Sequence, residues 1–341
     1  MAGRLLAALG VSLPVLAAPM AGGPGGVALV EAAAAAGGMG LLAGGYKSPE
    51  ALAAEIETVG GPFGVNLFVP NPLPVDRAAY RRYAGLVTLE AERYGVVVPV
   101  DKPVEDDDSW DEKVALLRER PVPLVSFTFG IPAAADLAAL RATGAVLMQT
   151  VTSVDEAKRA AAAGVDAVVV QSVQAGGHSG TLTPLRPPAA VPLPELVAAV
   201  RQAVGLPVVA AGGVATPAAV VAALAAGAEA VSVGTVLLRC VEAGTSATHR
   251  AALADPARTE TVRTHAFTGR TARGLRNAFI DEYQPVAPFG YPALHHLTSP
   301  VRKAAAAAGD PERVHLWAGT GFRHATEEPA AGILHRLAGR L

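Results

Sequence analysis

Short apolar runs recur along this chain, each followed by a polar or glycine-rich break and then by an alanine- and leucine-rich stretch of helical period. Runs without alternation are what a parallel sheet covered on both faces requires. The pattern predicts strands at 15–20, 39–43, 63–68, 124–129, 145–149, 165–171, 206–211 and 229–233. Helices are predicted between them at 27–36, 49–59, 132–141, 153–163, 194–203 and 217–226. Several helix starts carry local signals: Ser48 before Pro49, Thr216 before Pro217, and Ser153 with Glu156 as a capping box. Eight strand–helix units in series, with no antiparallel hairpin signal, predict an α/β fold, a (β/α)8 TIM barrel. A doubly wound sheet would carry Gly-x-Gly-x-x-Gly after its first strand. Here Gly22-Gly23-Pro24-Gly25-Gly26 has another spacing, and Pro24 offers no backbone donor.

Two sections break the repeat. Residues 69–120 are irregular, with a helical stretch at 77–94 and an acidic turn at 105–108 that reads as a solvated loop. From about Asp255 the repeat fails again: 268–277 is basic, and 292–308 and 328–341 look helical. These breaks predict a barrel over 1–245 with an insert at 69–120. A mostly helical lobe over 246–341 is expected to cover the barrel mouth, its last helix packing back on the barrel.

Composition narrows the partners. With 341 residues, 51% hydrophobic and 17% charged, the chain can bury a large core and is not disordered. A net charge of −2 gives no electrostatic basis for binding nucleic acid or an anionic membrane. The single cysteine, Cys240, excludes an internal disulfide and a multi-cysteine metal site. Apolar residues 11–42 are interrupted by Pro14, Pro19, glycines and Glu31 before reaching the roughly 20 residues of a membrane helix. Arg4 and the leucines after it only faintly resemble a signal peptide. The expectation is a soluble cytoplasmic monomer or homodimer.

In such barrels the chemistry sits at the C-terminal strand ends. Those ends offer Ala18, Pro19 and Met20, then Asn66, Ser126, Phe127, Thr128, Gln149, Thr150, and Gln171 followed by His178. The last two strands add Ala211, Gly212, Gly213, Ser232, Val233, Gly234 and Thr235. No Asp, Glu or Lys is among them, which argues against a glycosidase carboxylate pair, a Schiff-base lysine or a carboxylate metal cage. One histidine without a carboxylate partner argues against zinc, so no metal is expected. Gly212-Gly213 and Gly234-Thr235 fall where barrels bind phosphate through backbone N–H groups. Small Ala18, Ala211 and Gly176 leave room for a flat ring, and Asn66 and Gln171 offer the mixed donors and acceptors that a flavin edge requires. His178, in Ala-Gly-Gly-His-Ser-Gly, is the one titratable side chain delivered to that ligand. The other histidines (His249, His265, His295, His296, His315, His324 and His335) receive no role.

On the stretches 18–22, 37–40, 63–68, 126–130, 171–180, 210–213, 233–235, 269–277 and 316–319, the sequence resembles the class I nitronate monooxygenases, FMN-dependent barrels formerly called 2-nitropropane dioxygenases. The resemblance implies that Asn66, Gln171, Gly176, Gly213 and the 232–235 loop contact FMN. With the strand-end reading, the expected cofactor set also takes in Ala18, Pro19, Met20, Gly177 and Gly212. It further implies that His178 is the base or substrate-orienting residue. The implied reaction is oxidation of an alkyl nitronate, such as propionate 3-nitronate, by O2 to a carbonyl compound and nitrite. His178, partly protonated near neutral pH, is expected to pair with the nitronate, and to abstract the carbon-bound proton of a neutral nitroalkane. The chain departs from the family at Ser172 and Gln174, where Gly and Glu are usual, and at Ser232, where Gln is common. Losing the Glu is expected to remove a charge near His178. Losing the Gln is expected to remove a phosphate-loop contact. Two other readings fit the same residues: an NAD(P)H-dependent flavin reductase acting on enoyl thioesters or quinones, and a non-redox barrel that binds a phosphorylated metabolite.

Overall fold

The structure is a computed structural model and describes residues 3–339. The tail of the helix expected at 328–341 therefore lies partly outside the described residues. The strands are β1 (Val15–Ala17), β2 (Met39–Ala43), β3 (Phe63–Phe68), β4 (Leu124–Thr128), β5 (Val146–Val151), β6 (Ala167–Gln171), β7 (Gly177–His178), β8 (Val208–Ala211), β9 (Ala230–Val233), β10 (Thr261–Thr264) and β11 (Ala272–Leu275). The helices are α1 (Arg4–Leu9), α2 (Val27–Ala35), α3 (Pro49–Thr58), α4 (Arg77–Tyr94), α5 (Trp110–Glu119), α6 (Ala134–Arg141), α7 (Val154–Ala163), α8 (Leu193–Ala203), α9 (Pro217–Ala225), α10 (Ala247–Ala254), α11 (Ala278–Tyr283), α12 (Ala293–Ala307) and α13 (Ala330–Ala338).

The expected barrel is present. Parallel strands close in the order β1-β2-β3-β4-β5-β6-β8-β9, with β9 pairing back onto β1 at Val15↔Val231. The unbroken apolar runs are buried on both faces, one side against the helices and the other inside the barrel. The signal-peptide-like leucines form α1. Leu5, Leu6 and Leu9 are buried with Leu16, Met39, Leu124 and Val209, and the Leu5 amide is held by Glu229 just ahead of β9. This helix therefore closes the end of the barrel opposite the active-site mouth.

Helix α5, hidden in the irregular 69–120 stretch, buries Trp110, Val114 and Leu117 at helical spacing and packs on β3, α3 and α6. It is the barrel's third helix, so the true interruption ends before Trp110. At the other end α13 packs against α2, α9 and β1, the place of an eighth barrel helix. The lobe is thus inserted between the last strand and the last helix of the barrel.

That lobe is less purely helical than the sequence suggests. β10, β11 and β7 form a small antiparallel sheet, with His178 opposite Ala272. The short strands and the long 265–271 connection carry none of the two-residue turn signals of a hairpin. A second core joins α4 to α11 and α12 through Tyr83, Val87, Phe267, Phe279, Leu294 and Leu297. Buried Glu90 fastens it, accepting from the Tyr283 hydroxyl at 2.6 Å and Arg313 Nε at 2.7 Å. Among the described residues no helix is long and apolar enough to cross a membrane.

Candidate active site

A cavity of about 1390 Å³ lies between the C-terminal strand ends and the lobe. All of the residues expected to bind the cofactor or act on the substrate line it: Ala18, Pro19, Met20, Asn66, Gln171, Gly176, Gly177, His178, Gly212, Gly213, Ser232, Val233, Gly234 and Thr235; of the other strand-end residues, Phe127 and Gln149 do not.

Their local chemistry differs in places from what the sequence suggests. Asn66 is buried, and its Nδ2 donates to Ser126 Oγ at 2.7 Å and Thr128 Oγ1 at 3.0 Å, which fixes the amide at the end of β3. Gln171 spends its amide on the loop that follows it: Nε2 donates to the His178 carbonyl at 3.3 Å, and Oε1 accepts from the Gly180 amide at 2.8 Å. It staples the histidine loop while lining the cavity, and one of its two Nε2 protons is not used by that loop. A Cβ on Gly176 would lie 2.5 Å from the Gly319 nitrogen and 2.6 Å from the Ala318 carbonyl carbon. Glycine is required there for contact with the 318–319 backbone, and it also lines the cavity.

Glu156 also differs. The Ser153 hydroxyl accepts from its amide as a cap should, but the carboxylate does not complete the box. One oxygen takes the Thr152 amide and hydroxyl, and the other takes the Thr181 hydroxyl and the Leu182 amide, both at 2.7 Å. The histidine loop is therefore tied down at both ends.

At the end of β8, Gly212 and Gly213 have φ of +99° and +77°, which an L side chain rarely adopts. Added Cβ atoms would meet Ser172 Oγ at 2.7 Å and Gln174 Oε1 at 2.6 Å. Gln174 thus lies over Gly213, at the lip of this glycine turn. The departure at position 174 puts a neutral amide against the turn, and the charges present that act on His178 are those of Arg270 and Arg302. Next to it, β9 runs through Gly234 into a 3-10 turn at Thr235–Leu237, with Thr235 Oγ1 accepting the Gly319 amide at 2.9 Å.

His178 stands at the cavity wall with Phe129, Tyr291 and Trp317 around it, their ring centroids 5.7, 5.8 and 5.6 Å away. Its Nε2 is 2.9 Å from Thr268 Oγ1. Burial, and then the positive charges of Arg270 and Arg302, push its pKa down to about 3. The expected partial protonation near pH 7 is therefore corrected: His178 is neutral there.

The two arginines were not anticipated as site residues. Arg270 is 1% exposed. Its guanidinium lies 4.0 Å over the Phe129 ring, Nη2 donates to the Thr181 carbonyl at 2.6 Å, and Nε has no partner. Arg302, 4% exposed and on the cavity wall, donates from Nε to Thr298 Oγ1 at 3.0 Å and from Nη2 to the His295 carbonyl at 2.9 Å. Burial lowers both to about 10, so both remain cationic at neutral pH. Among the described residues neither has a carboxylate within ion-pair distance. Two buried cations without a counter-ion make the adjoining cavity favourable to an anion. The only hint in the sequence was the basic 268–277 stretch.

His249, His295, His296 and His315 also line the cavity, with Tyr46 stacked on His295 at a centroid distance of 3.9 Å. The acidic turn is more than a solvated loop. Asp108 holds the Tyr46 amide at 2.9 Å and Lys113 at 2.8 Å, while Asp106 meets His296 Nε2 at 2.8 Å. It ties the cavity rim to α5 and α12.

The profile of the nitronate monooxygenase family matches residues 4–338. A probable nitronate monooxygenase from Staphylococcus aureus (strain Newman) is 35% identical over 98% of this chain and 96% of its own length. The structure of nitroalkane oxidase from Streptomyces ansochromogenes superposes with a TM-score of 0.92 at 43% identity, covering 98% of this chain and 97% of that one. FabK from Thermotoga maritima superposes with a TM-score of 0.75 at 26% identity, covering 98% and 94%. With a full-length family match added to the barrel and its cavity, the chain belongs to the nitronate monooxygenase family of flavin-dependent oxidoreductases.

Proposed function

We propose that the flavin is FMN and that the substrate is a small alkyl nitronate, oxidised with O2 to a carbonyl compound and nitrite. The observation that carries this reading is the buried guanidinium of Arg302 on the cavity wall, with no carboxylate within ion-pair distance, beside a neutral imidazole and with a second buried cation, Arg270, behind the Phe129 ring. A nitronate is an anion, and its binding supplies the missing counter-charge.

The glycine turn fits the cofactor's phosphate. Gly212 and Gly213, in conformations that exclude side chains, lie next to the Gly234–Thr235 turn, and both line the cavity. These residues would hold the phosphate, with Ala18, Pro19, Met20 and Asn66 along the ring. A flavin held there would supply the electron acceptor for nitronate oxidation and the route by which O2 is reduced. Arg302 on the cavity wall orients the anionic nitro group, Arg270 adds its charge from behind the Phe129 ring, and Phe129, Tyr291 and Trp317 exclude water from around His178. With a neutral nitroalkane, His178 takes the proton from carbon first. The fields that keep it neutral also make it a weak base, so nitroalkanes should turn over more slowly than preformed nitronates.

Gly213→Val puts a branched side chain at φ +77° and against Gln174. We expect the purified variant to retain less than about a tenth of the wild-type flavin, read from its visible spectrum, because backbone strain and lost phosphate contacts act together. The cofactor identity is tested by chromatography of the flavin released on denaturation: FMN is expected, and FAD alone would overturn the assignment.

The pH profile tests the state of His178. An imidazole at its ordinary value would show an acid limb near 6.5 in nitroalkane kcat/KM. With the pKa at about 3, the basic form is already complete well below neutrality, and His178 contributes no limb between about pH 5 and pH 8. A limb near 6.5 that vanishes in His178→Asn would contradict this.

A further inference from the structure

We infer that Thr268 is a positioning residue that fixes the tautomer of His178, placing the ring proton on Nε2 and leaving Nδ1 as the basic atom. This rests on the reading of His178 as the base, and its first test is independent of that reading.

Protons and lone pairs around Thr268 decide the tautomer. A threonine hydroxyl has one proton to give and two lone pairs to receive with. Thr268 Oγ1 has three partners: His178 Nε2 at 2.9 Å, the Arg270 carbonyl at 3.1 Å and the Arg270 amide at 3.4 Å. The carbonyl can only accept, so the hydroxyl proton goes to it. The amide can only donate, so it takes one lone pair. The remaining lone pair faces His178, whose Nε2 must then carry a proton. The reverse arrangement, Thr268 donating to Nε2, would strand the Arg270 carbonyl in a segment where Thr268 and Arg270 are each 1% exposed. A buried acceptor left unpaired is costly.

The fold builds this geometry rather than merely permitting it. Gly269 has φ +75°, and a Cβ there would lie 2.5 Å from the Gly290 carbonyl oxygen. That tight turn folds the Arg270 backbone onto the Thr268 side chain. The pairing of His178 with Ala272 in the small antiparallel sheet sets the imidazole in register with the same turn. Among the described residues Nδ1 has no hydrogen-bond partner, and the ring lines the cavity. In the proton-transfer step the substrate C–H bond breaks, its electron pair stays on the nitroalkane to give the nitronate, and the proton forms a new bond to Nδ1. The resulting imidazolium keeps its Nε2–H bond to Thr268, and an acceptor at Nε2–H raises the basicity of Nδ1. Thr268 thus offsets part of the weakening imposed by Arg270 and Arg302.

The test is two-bond proton–nitrogen NMR of the flavin-loaded protein labelled with [15N]histidine, the His178 signals being assigned by their loss in His178→Asn. The wild type should show the pattern of a neutral ring protonated at Nε2. Thr268→Val, close in shape and without the hydroxyl, should show a mixture of tautomers, and Thr268→Ser should restore the single one. A ring protonated at Nδ1 in the wild type, or an unchanged pattern in Thr268→Val, would overturn the inference. The kinetic arm compares nitroethane with its nitronate. Thr268→Val should lose about tenfold or more in kcat/KM on nitroethane while keeping the nitronate within about twofold, with Thr268→Ser near wild type on both. Equal loss on both substrates at full flavin content overturns the positioning role. If His178→Asn itself does not discriminate between the substrates, the base assignment fails, whatever the tautomer proves to be.

Discussion

Replacing His178 with Asn is expected to lower kcat/KM for a neutral nitroalkane by about a hundredfold or more, while kcat/KM for the preformed nitronate falls by less than about fivefold. The difference follows from what each substrate needs. A nitroalkane must lose a carbon-bound proton, and His178 is the neutral imidazole on the cavity wall that can receive it. A nitronate has already lost that proton. Asn keeps a polar group of similar reach but cannot act as a base at neutral pH. Parallel assays on nitroethane and ethyl nitronate, normalised to bound flavin, give the ratio directly. Equal losses on the two substrates would remove His178 from the proton-transfer role and leave it a general part of the binding wall.

The second large effect belongs to Arg302. Arg302→Met should raise KM for the nitronate by roughly 30-fold, on the order of 2 kcal/mol for a desolvated charge-assisted contact. For the neutral nitroalkane KM should stay within about threefold and kcat should fall instead, because negative charge there develops only on the way to the transition state. The same substitution removes one of the two cations that depress His178, so the His178 pKa should rise from about 3 towards its ordinary value. The acid limb of the nitroalkane profile would then move up towards the measured range. Arg302→Lys keeps the charge and should recover most of the nitronate KM. Since Arg302 also holds the His295 carbonyl and Thr298 on α12, this second variant separates loss of charge from movement of the helix. A methionine variant with unchanged KM for the nitronate would show that the anion is held elsewhere.

Much of this arrangement was legible in the chain. The unbroken apolar strands gave the barrel, because a doubly covered parallel sheet leaves no polar face to alternate. The strand ends gave most of the barrel side of the cavity lining, because a barrel of this kind brings its C-terminal strand ends to one mouth. What escaped the sequence came from contacts across long separations. Arg270 and Arg302 lie far from the strand ends in the chain, and only the folding of the lobe brings Arg302 to the cavity wall and Arg270 behind Phe129. α5 looked irregular because its charged outer face masks three buried apolar positions, and α13 looked like a tail because the whole lobe intervenes between it and β9. Gln171 and Gly176 line the expected cavity, and each also makes a loop contact that the sequence does not show. Their partners, Gly180 and the 318–319 backbone, are visible only once the loop is folded. The ordinary pKa of an imidazole was likewise a poor guide to His178, since burial and two distant arginines decide it.

The account's central claim is that this cavity serves oxidation of a nitronate by O2 rather than reduction by a nicotinamide nucleotide. The most direct test follows oxygen uptake and nitrite release from an alkyl nitronate with the flavin-loaded enzyme, beside anaerobic mixing of the same enzyme with NADH and NADPH. Nitrite release that depends on O2, with a flavin spectrum that the nucleotides leave unbleached on the turnover timescale, is the predicted result. Rapid bleaching by a nucleotide, with no nitrite formed from the nitronate, would contradict the claim and make the protein a flavin reductase.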